Sequence, residues 1–160
     1  MPVDKVKIRG HARLELYGPD GTLKDVREAE NMIVSGGLAM IADAIANVTN
    51  TYVMSGIGIG TGTTGPAATD VNLETSAAYV ALTSAGKATA AASAHSVIYT
   101  GTFAPGEGTA AITEAVLCCA ASAYGDKAVG RILNRLTFAA INKGAADTLA
   151  VTWTVVLADA

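Results

Sequence analysis

Leu149, Val151, Trp153, Val155 and Leu157 occupy every second position, with Thr152 and Thr154 between them. A period of two belongs to a strand with one buried face, because successive side chains of an extended chain point to opposite sides. Residues 6–17 repeat the pattern. Val6, Ile8, Ala12, Leu14 and Leu16 share one side, and Lys7, Arg9, His11, Arg13 and Glu15 share the other.

Turn signals separate further strands. Gly18-Pro19-Asp20-Gly21 closes a hairpin, since Pro presets φ, Asp bonds its own backbone and Gly accepts positive φ; Thr22 to Arg27 is the return strand. Strands are predicted over 52–60, 78–83, 95–103, 109–119 and 129–138, with turns at Pro105–Gly108, Tyr124–Lys127 and Asn142–Gly144. The Ala/Ser/Thr/Gly stretch over 85–94 reads as an exposed loop. Ser35 is an N-cap type of residue. Leu38, Ile41, Ala42 and Ile45 then recur at helical spacing, which predicts one short helix over about 36–47 with that apolar face on the sheet. Short strands with turns between them predict an all-β fold, an antiparallel two-layer β-sandwich of jelly-roll type with this one helix. The 160 residues suit a single domain over 1–160, with a hairpin at 1–34 that can extend as an arm.

Charged residues make up 16% of the chain, against about 25% in an average soluble protein. Surfaces of small, weakly hydrated side chains lose little on packing against another protein, because few ions must be desolvated. The net charge is −3, whereas reliance on phosphate contacts calls for a basic excess, so no nucleic acid is expected as a partner. No apolar run of membrane-spanning length occurs, so no membrane is expected either. Residues 1–9 carry charges where a signal peptide needs an apolar stretch, which predicts synthesis in a cytoplasm without export by that route. Cys118 and Cys119 are neighbours, too strained a pair for a disulfide, and read as buried thiols.

Few residues present themselves for chemistry. Gly60-Thr-Gly62-Thr-Thr-Gly65 spells the dinucleotide-binding pattern, but Pro66-Ala-Ala-Thr follows where a helix would have to open, so no cofactor is expected there. His11 and His95 are isolated, and Asp70, Glu74, Asp126 and Asp147 read as solvated turn carboxylates. No catalytic set and no metal site is expected, and the chain reads as no enzyme. Glu114 stands out, because its strand parity puts a carboxylate among Ile112, Val116 and Cys118. Such a group needs a partner. Arg131 and Arg135, opposite Ile132, Leu136 and Phe138 on their strand, are the candidates for a structural ion pair, and an arginine of a neighbouring subunit is the alternative. Two surfaces are candidate partner contacts: the basic row Lys7, Arg9 and Arg13, and Gly56, Gly58 and Gly60, whose alternation leaves one strand face open to close approach.

Four stretches, in order, carry a resemblance over most of the chain. They are Glu30-Asn-Met-Ile-Val-Ser-Gly-Gly-Leu-Ala-Met-Ile-Ala, Ile57-Gly-Ile-Gly-Thr-Gly-Thr-Thr-Gly-Pro-Ala-Ala-Thr-Asp, Ile112-Thr-Glu-Ala-Val-Leu, and the run from Arg135 to Val155. Together they resemble small bacteriophage virion proteins, described as decoration, head-fibre or tail-fibre proteins. The resemblance implies no catalytic residues. It implies a virion component assembled in the host cytoplasm as a dimer or trimer. A compact unit without stalk repeats then fits a cement protein bridging the major capsid protein, with a small tail, baseplate or receptor-binding tail-fibre component as the alternative.

Overall fold

A computed structural model describes residues 6–46, 54–87, 95–119 and 132–159. The elements are β1 (Val6–Tyr17), β2 (Leu23–Glu30), β3 (Met32–Ile33), α1 (Ser35–Ala46), β4 (Gly56–Gly60), β5 (Ser76–Lys87), β6 (Ser96–Phe103), β7 (Ala110–Cys118), β8 (Ile132–Lys143) and β9 (Thr148–Asp159). The expected turn at Tyr124–Lys127, and residues 88–94 of the expected loop, lie outside the described residues; Ala85 to Lys87 belong to β5.

The strands form one antiparallel sheet in the order β2-β1-β9-β6-β5-β4-β7-β8-β3. β5 makes the order continuous. Its first half pairs with β4, from Ser76 opposite Gly60 to Ala81 opposite Gly56, and its second half pairs with β6 from Leu82 to Lys87. The edge strands β2 and β3 are separated in sequence only by Asn31, whose N–H donates to Gly10 O at 3.0 Å. The two edges must therefore come together. Across the remaining seam Arg27 donates from Nε to Ala139 O at 3.0 Å and from its terminal guanidinium nitrogen to Ala140 O at 3.1 Å. The result is a nearly closed barrel-like sheet, which the one-residue link between its two edge strands brings about.

β1 pairs with β2 on one side and, from Val6 to Tyr17, with β9 on the other. The N-terminal hairpin is thus part of the wall and not an arm. Its turn forms as the sequence requires: Gly18 N–H donates to Thr22 O at 2.8 Å, Asp20 Oδ1 accepts from Thr22 N at 3.1 Å, and Gly21 has φ +78°.

Trp153, Phe103, Leu14, Ile57, Leu117, Leu136 and Leu149 fill the main core, all without exposure. Trp153 also keeps its polar handle, with Nε1–H donating to Asn31 Oδ1 at 3.3 Å. A second cluster lies on the other face of β7: Val34, Leu73, Val116, Cys118 and Ile132, with Tyr79 against it.

Strand phase departs from strict alternation in two places. The β7–β8 register shifts between Ile112 and Glu114 and again between Leu117 and Cys118. Each irregularity resets which side chains face inward. Ile112 therefore lies in the main core while Val116 and Cys118 belong to the second cluster, and Ile132 joins them although Leu136 faces the main core. The expected shared faces Ile112–Cys118 and Ile132–Phe138 are split for this reason.

α1 spans Ser35–Ala46 and also presents a different face from the expected one. Leu38 and Ile45 are 51% and 81% exposed, whereas Gly37 and Met40 are buried. A side chain at Gly37 would overlap the Leu133 carbonyl. The glycine thus lets the helix backbone lie against β8, and this contact sets the rotation of the helix.

Candidate functional site

Glu114 is fully buried on β7 and is the most heavily bonded carboxylate of the described chain. Oε1 accepts from Gly62 N at 2.9 Å and from Thr75 N at 2.8 Å; Oε2 accepts from Glu74 N at 2.9 Å. Arg135, across the strand pair on β8, donates to Oε2 from Nε at 3.0 Å, and one of its terminal nitrogens lies 2.9 Å from the same oxygen as an ion pair. A buried carboxylate is tolerable when all its acceptor positions meet donors, and here they do.

Arg135 carries the network onward. One terminal nitrogen donates to Asp70 Oδ2 at 2.9 Å, the other to Thr64 O at 3.0 Å, with Glu74 at 3.7 Å. Burial pulls the guanidinium pKa down, but the bonds to Asp70 and Glu114 outweigh it and hold the charge more firmly than usual. Glu74 accepts from Thr64 N at 2.9 Å and Thr64 Oγ1 at 2.8 Å, which holds its carboxyl below the ordinary range, with Arg135 adding to the effect. Beside these groups lies a cleft of about 320 Å³ lined by Thr64, Thr69, Asp70, Asn72, Glu74 and Arg135.

The glycines of β4 make this arrangement possible. A side chain at Gly58 would overlap the Tyr79 ring and lie 3.0 Å from Val116; just beyond β4, one at Gly62 would lie 2.6 Å from Glu114 Oε1. At Gly60 a Cβ would overlap both Glu114 and the Thr75 carbonyl. Gly56, Gly58 and Gly60 are all buried. Close approach does occur at this stripe, and among the described residues the approaching groups belong to the same chain. Residues 66–75 after Gly65 are irregular, so the glycine run opens no helix whose N-terminus could meet a pyrophosphate.

The basic row divides. Arg13 donates to Glu28 at 2.6 Å and to Glu15 at 3.0 Å. Lys7 and Arg9 are exposed and have no ion pair among the described residues. Arg9 sits opposite Val156, His11 opposite Thr154 and then Ile98, and Arg13 opposite Thr152 and then Thr100. The outer face of β1-β9-β6 therefore bears charge on β1 alone and small or aliphatic side chains beyond it. Arg131 and Asp126 lie outside the described residues.

The expected solvated carboxylates at Asp70 and Asp147 are bonded instead. Asp147 is 3% exposed; it accepts from Lys24 at 2.8 Å and from Gly144 N at 2.9 Å, which lowers its pKa. Beside it Lys143, 2% exposed, donates to Ala104 O at 3.0 Å and Asp147 O at 2.8 Å, and burial lowers its pKa against the pull of Asp147 and Glu107. Asp70, Asp147 and Lys143 gave no periodic signal, since each is fixed by loop closure between distant segments. Cys118 is buried and its thiol is pushed up to about 12, mainly by burial and then by Cys119. Among the described residues no three His, Cys, Asp or Glu converge as a metal site.

Compared with protein-family models, with curated proteins and with solved structures, the chain matches none. Fold and site together define a β-barrel-like protein whose buried ionic cluster ties a long loop to the wall.

Proposed function

We propose that this chain is a structural protein of a bacteriophage particle, a capsid decoration protein that cements neighbouring capsid subunits as a dimer or trimer. One observation carries the reading: the outer face of β1-β9-β6, where Lys7 and Arg9 border rows of Thr, Ala, Val and Ile. A face with few ions to desolvate and two unengaged cations at its margin suits lateral packing against an acidic patch of a partner. The polar clusters support the same reading, because the acceptors of Glu114 and the donors of Arg135 are engaged in holding the fold. In the same reading, the two halves of the curled sheet, meeting at β5, act as the facing layers of a flattened jelly-roll-like sandwich. Many weak contacts on a repeating lattice add up, so each copy needs little affinity alone.

The test adds purified protein to particles that lack it, images them and heats them. Binding over the head with a raised temperature of genome release supports the cement reading. Binding only at the tail replaces it with the tail or baseplate reading. Turnover of a substrate without binding to any particle refutes both.

A further inference from the structure

Residues 61–75 leave β4 and enter β5 with their ends joined, since Thr61 N–H donates to Thr75 O at 2.9 Å. A loop closed at its neck is an Ω-loop and can move as a unit without unzipping the strands on either side. Its grip on the barrel is mainly polar. Among its residues only Gly62 and Leu73 are buried, and segments with few buried apolar contacts open most readily.

The centre of that grip is Glu114. Both oxygens meet donors only: Gly62 N and Thr75 N on Oε1, Glu74 N and Arg135 on Oε2. A proton on either oxygen would point at an N–H, and one of those bonds would be lost. The closed loop therefore requires the ionised carboxylate. The other fastenings are Arg135 to Asp70 and Thr64 O, Thr113 Oγ1–H to Gly62 O at 2.8 Å, and, at the start of α1, Ser35 N–H to Ala68 O at 2.8 Å. The charged and titratable groups facing Glu114 are Arg135 from β8, Asp70 and Glu74 from the loop, Tyr79 from β5 and Cys118 on its own strand. Leu73 of the loop packs in the second apolar cluster with Val116, Cys118 and Ile132.

We propose that residues 61–75 form an acid-released strap: protonation of the carboxylates that hold it frees the loop from β4, β7 and β8 and bares the apolar cluster around Val116 and Cys118, while the barrel stays folded. The inference rests on the loop alone and is independent of where the protein acts.

Cys118 serves as reporter. In a Cys119→Ser variant it is the sole thiol of the chain. Its rate with a dithiodipyridine reagent is measured in steps from about pH 7 to about pH 2, passing through and below the ordinary carboxylate range, each divided by the rate of the unfolded chain at that pH. The expected result is a rise of about tenfold or more in acid, with Trp153 emission still native. Asp70→Asn, which removes one fastening, moves that rise to higher pH. A ratio that does not change with pH, or one that changes only as Trp153 emission shifts, overturns the proposal. Should Cys119→Ser fail to fold, hydrogen exchange of the wild-type protein decides. Protection of Gly62, Glu74 and Thr75 amides lost in acid ahead of β9 supports the strap, and protection lost together with β9 overturns it.

Discussion

The Glu114 carboxylate occupies the space that a side chain at Gly60 would take. The glycine that looked like part of a nucleotide-binding run is thus the room a buried anion needs, and substitution there tests that role directly. A Cβ at Gly60 also overlaps the Thr75 carbonyl, which is backbone and cannot swing aside; at Gly58 the obstacles are the Tyr79 ring and Val116. Gly60→Ala is expected to cost about 1–3 kcal/mol, the usual range for overpacking. Tyr79→Leu should recover part of the loss in Gly58→Ala, and no single side-chain trimming should recover Gly60→Ala. Urea denaturation of the two series checks both statements.

Arg135→Met leaves Glu114 buried without its cation, and Glu114→Gln does the converse. Each should destabilise by about 3–5 kcal/mol, the range for breaking a buried pair from one side. The double variant should lose less than the sum, with a coupling of about 0.5–3 kcal/mol in a double-mutant cycle. Additive losses would mean that the two residues act separately.

Arg27 spans the seam to Ala139 and Ala140, both exposed. Water replaces its bonds when it is removed, so Arg27→Met should cost only about 1 kcal/mol. The local effect should be larger than the global one. Amides of β2 and of β8 near Ala140 should lose hydrogen-exchange protection, while β9 keeps its own.

Asp147 and Lys143 both make stability rise with pH, in two separate windows. Asp147 is held below the ordinary carboxylate range by Lys24 and then Gly144 N–H. Its contribution is present above about pH 4 and is lost as pH falls through the native value. Lys143 is lowered by burial, so the unfolded chain binds the extra proton between the native value and about 10.4, and stability rises with pH across that window. Urea midpoints against pH should show both limbs. Asp147→Asn should flatten the acid limb and Lys143→Met the alkaline one.

Arg9 and Arg13 lie two residues apart on one strand face, yet their reversal should differ. Arg9→Glu disturbs no ion pair among the described residues and should change stability by within about 0.5 kcal/mol. Arg13→Glu faces Glu15 and Glu28, so it should lower the thermal midpoint. If the β1 face is the docking surface, Arg9→Glu weakens particle attachment with the midpoint unchanged. Full attachment by Arg9→Glu would exclude this face.

The parts legible in the sequence were those governed by local periodicity. The alternation through Trp153 and through Leu14 placed both in the core, the Pro19-Asp20 turn fell where its chemistry required, and the odd carboxylate at Glu114 pointed to Arg135. The rest depended on long-range geometry. Nothing in the spacing of β7 and β8 marks the register shifts that divide Ile112 from Val116. The orientation of α1 follows from a single close approach at Gly37. Asp70 and Asp147 looked like turn residues because their partners, Arg135 and Lys24, are remote in sequence. The one clue to barrel closure was the single residue between β2 and β3, and it acquires meaning only once those strands are known to be the two edges.

The pairing of β1 with β9 bears on how the protein is made. These strands zip together from Val6 opposite Asp159 to Tyr17 opposite Thr148, so β1 waits for nearly the whole described chain to leave the ribosome before its longer ladder can form. Until then its company is β2, and a lone hairpin is marginally stable in water. Folding dominated by such distant pairings proceeds in milliseconds to seconds. The nascent chain therefore carries an unzipped strand with one apolar face throughout translation, and its yield in a cell should respond to chaperone supply and growth temperature more than the finished barrel would suggest.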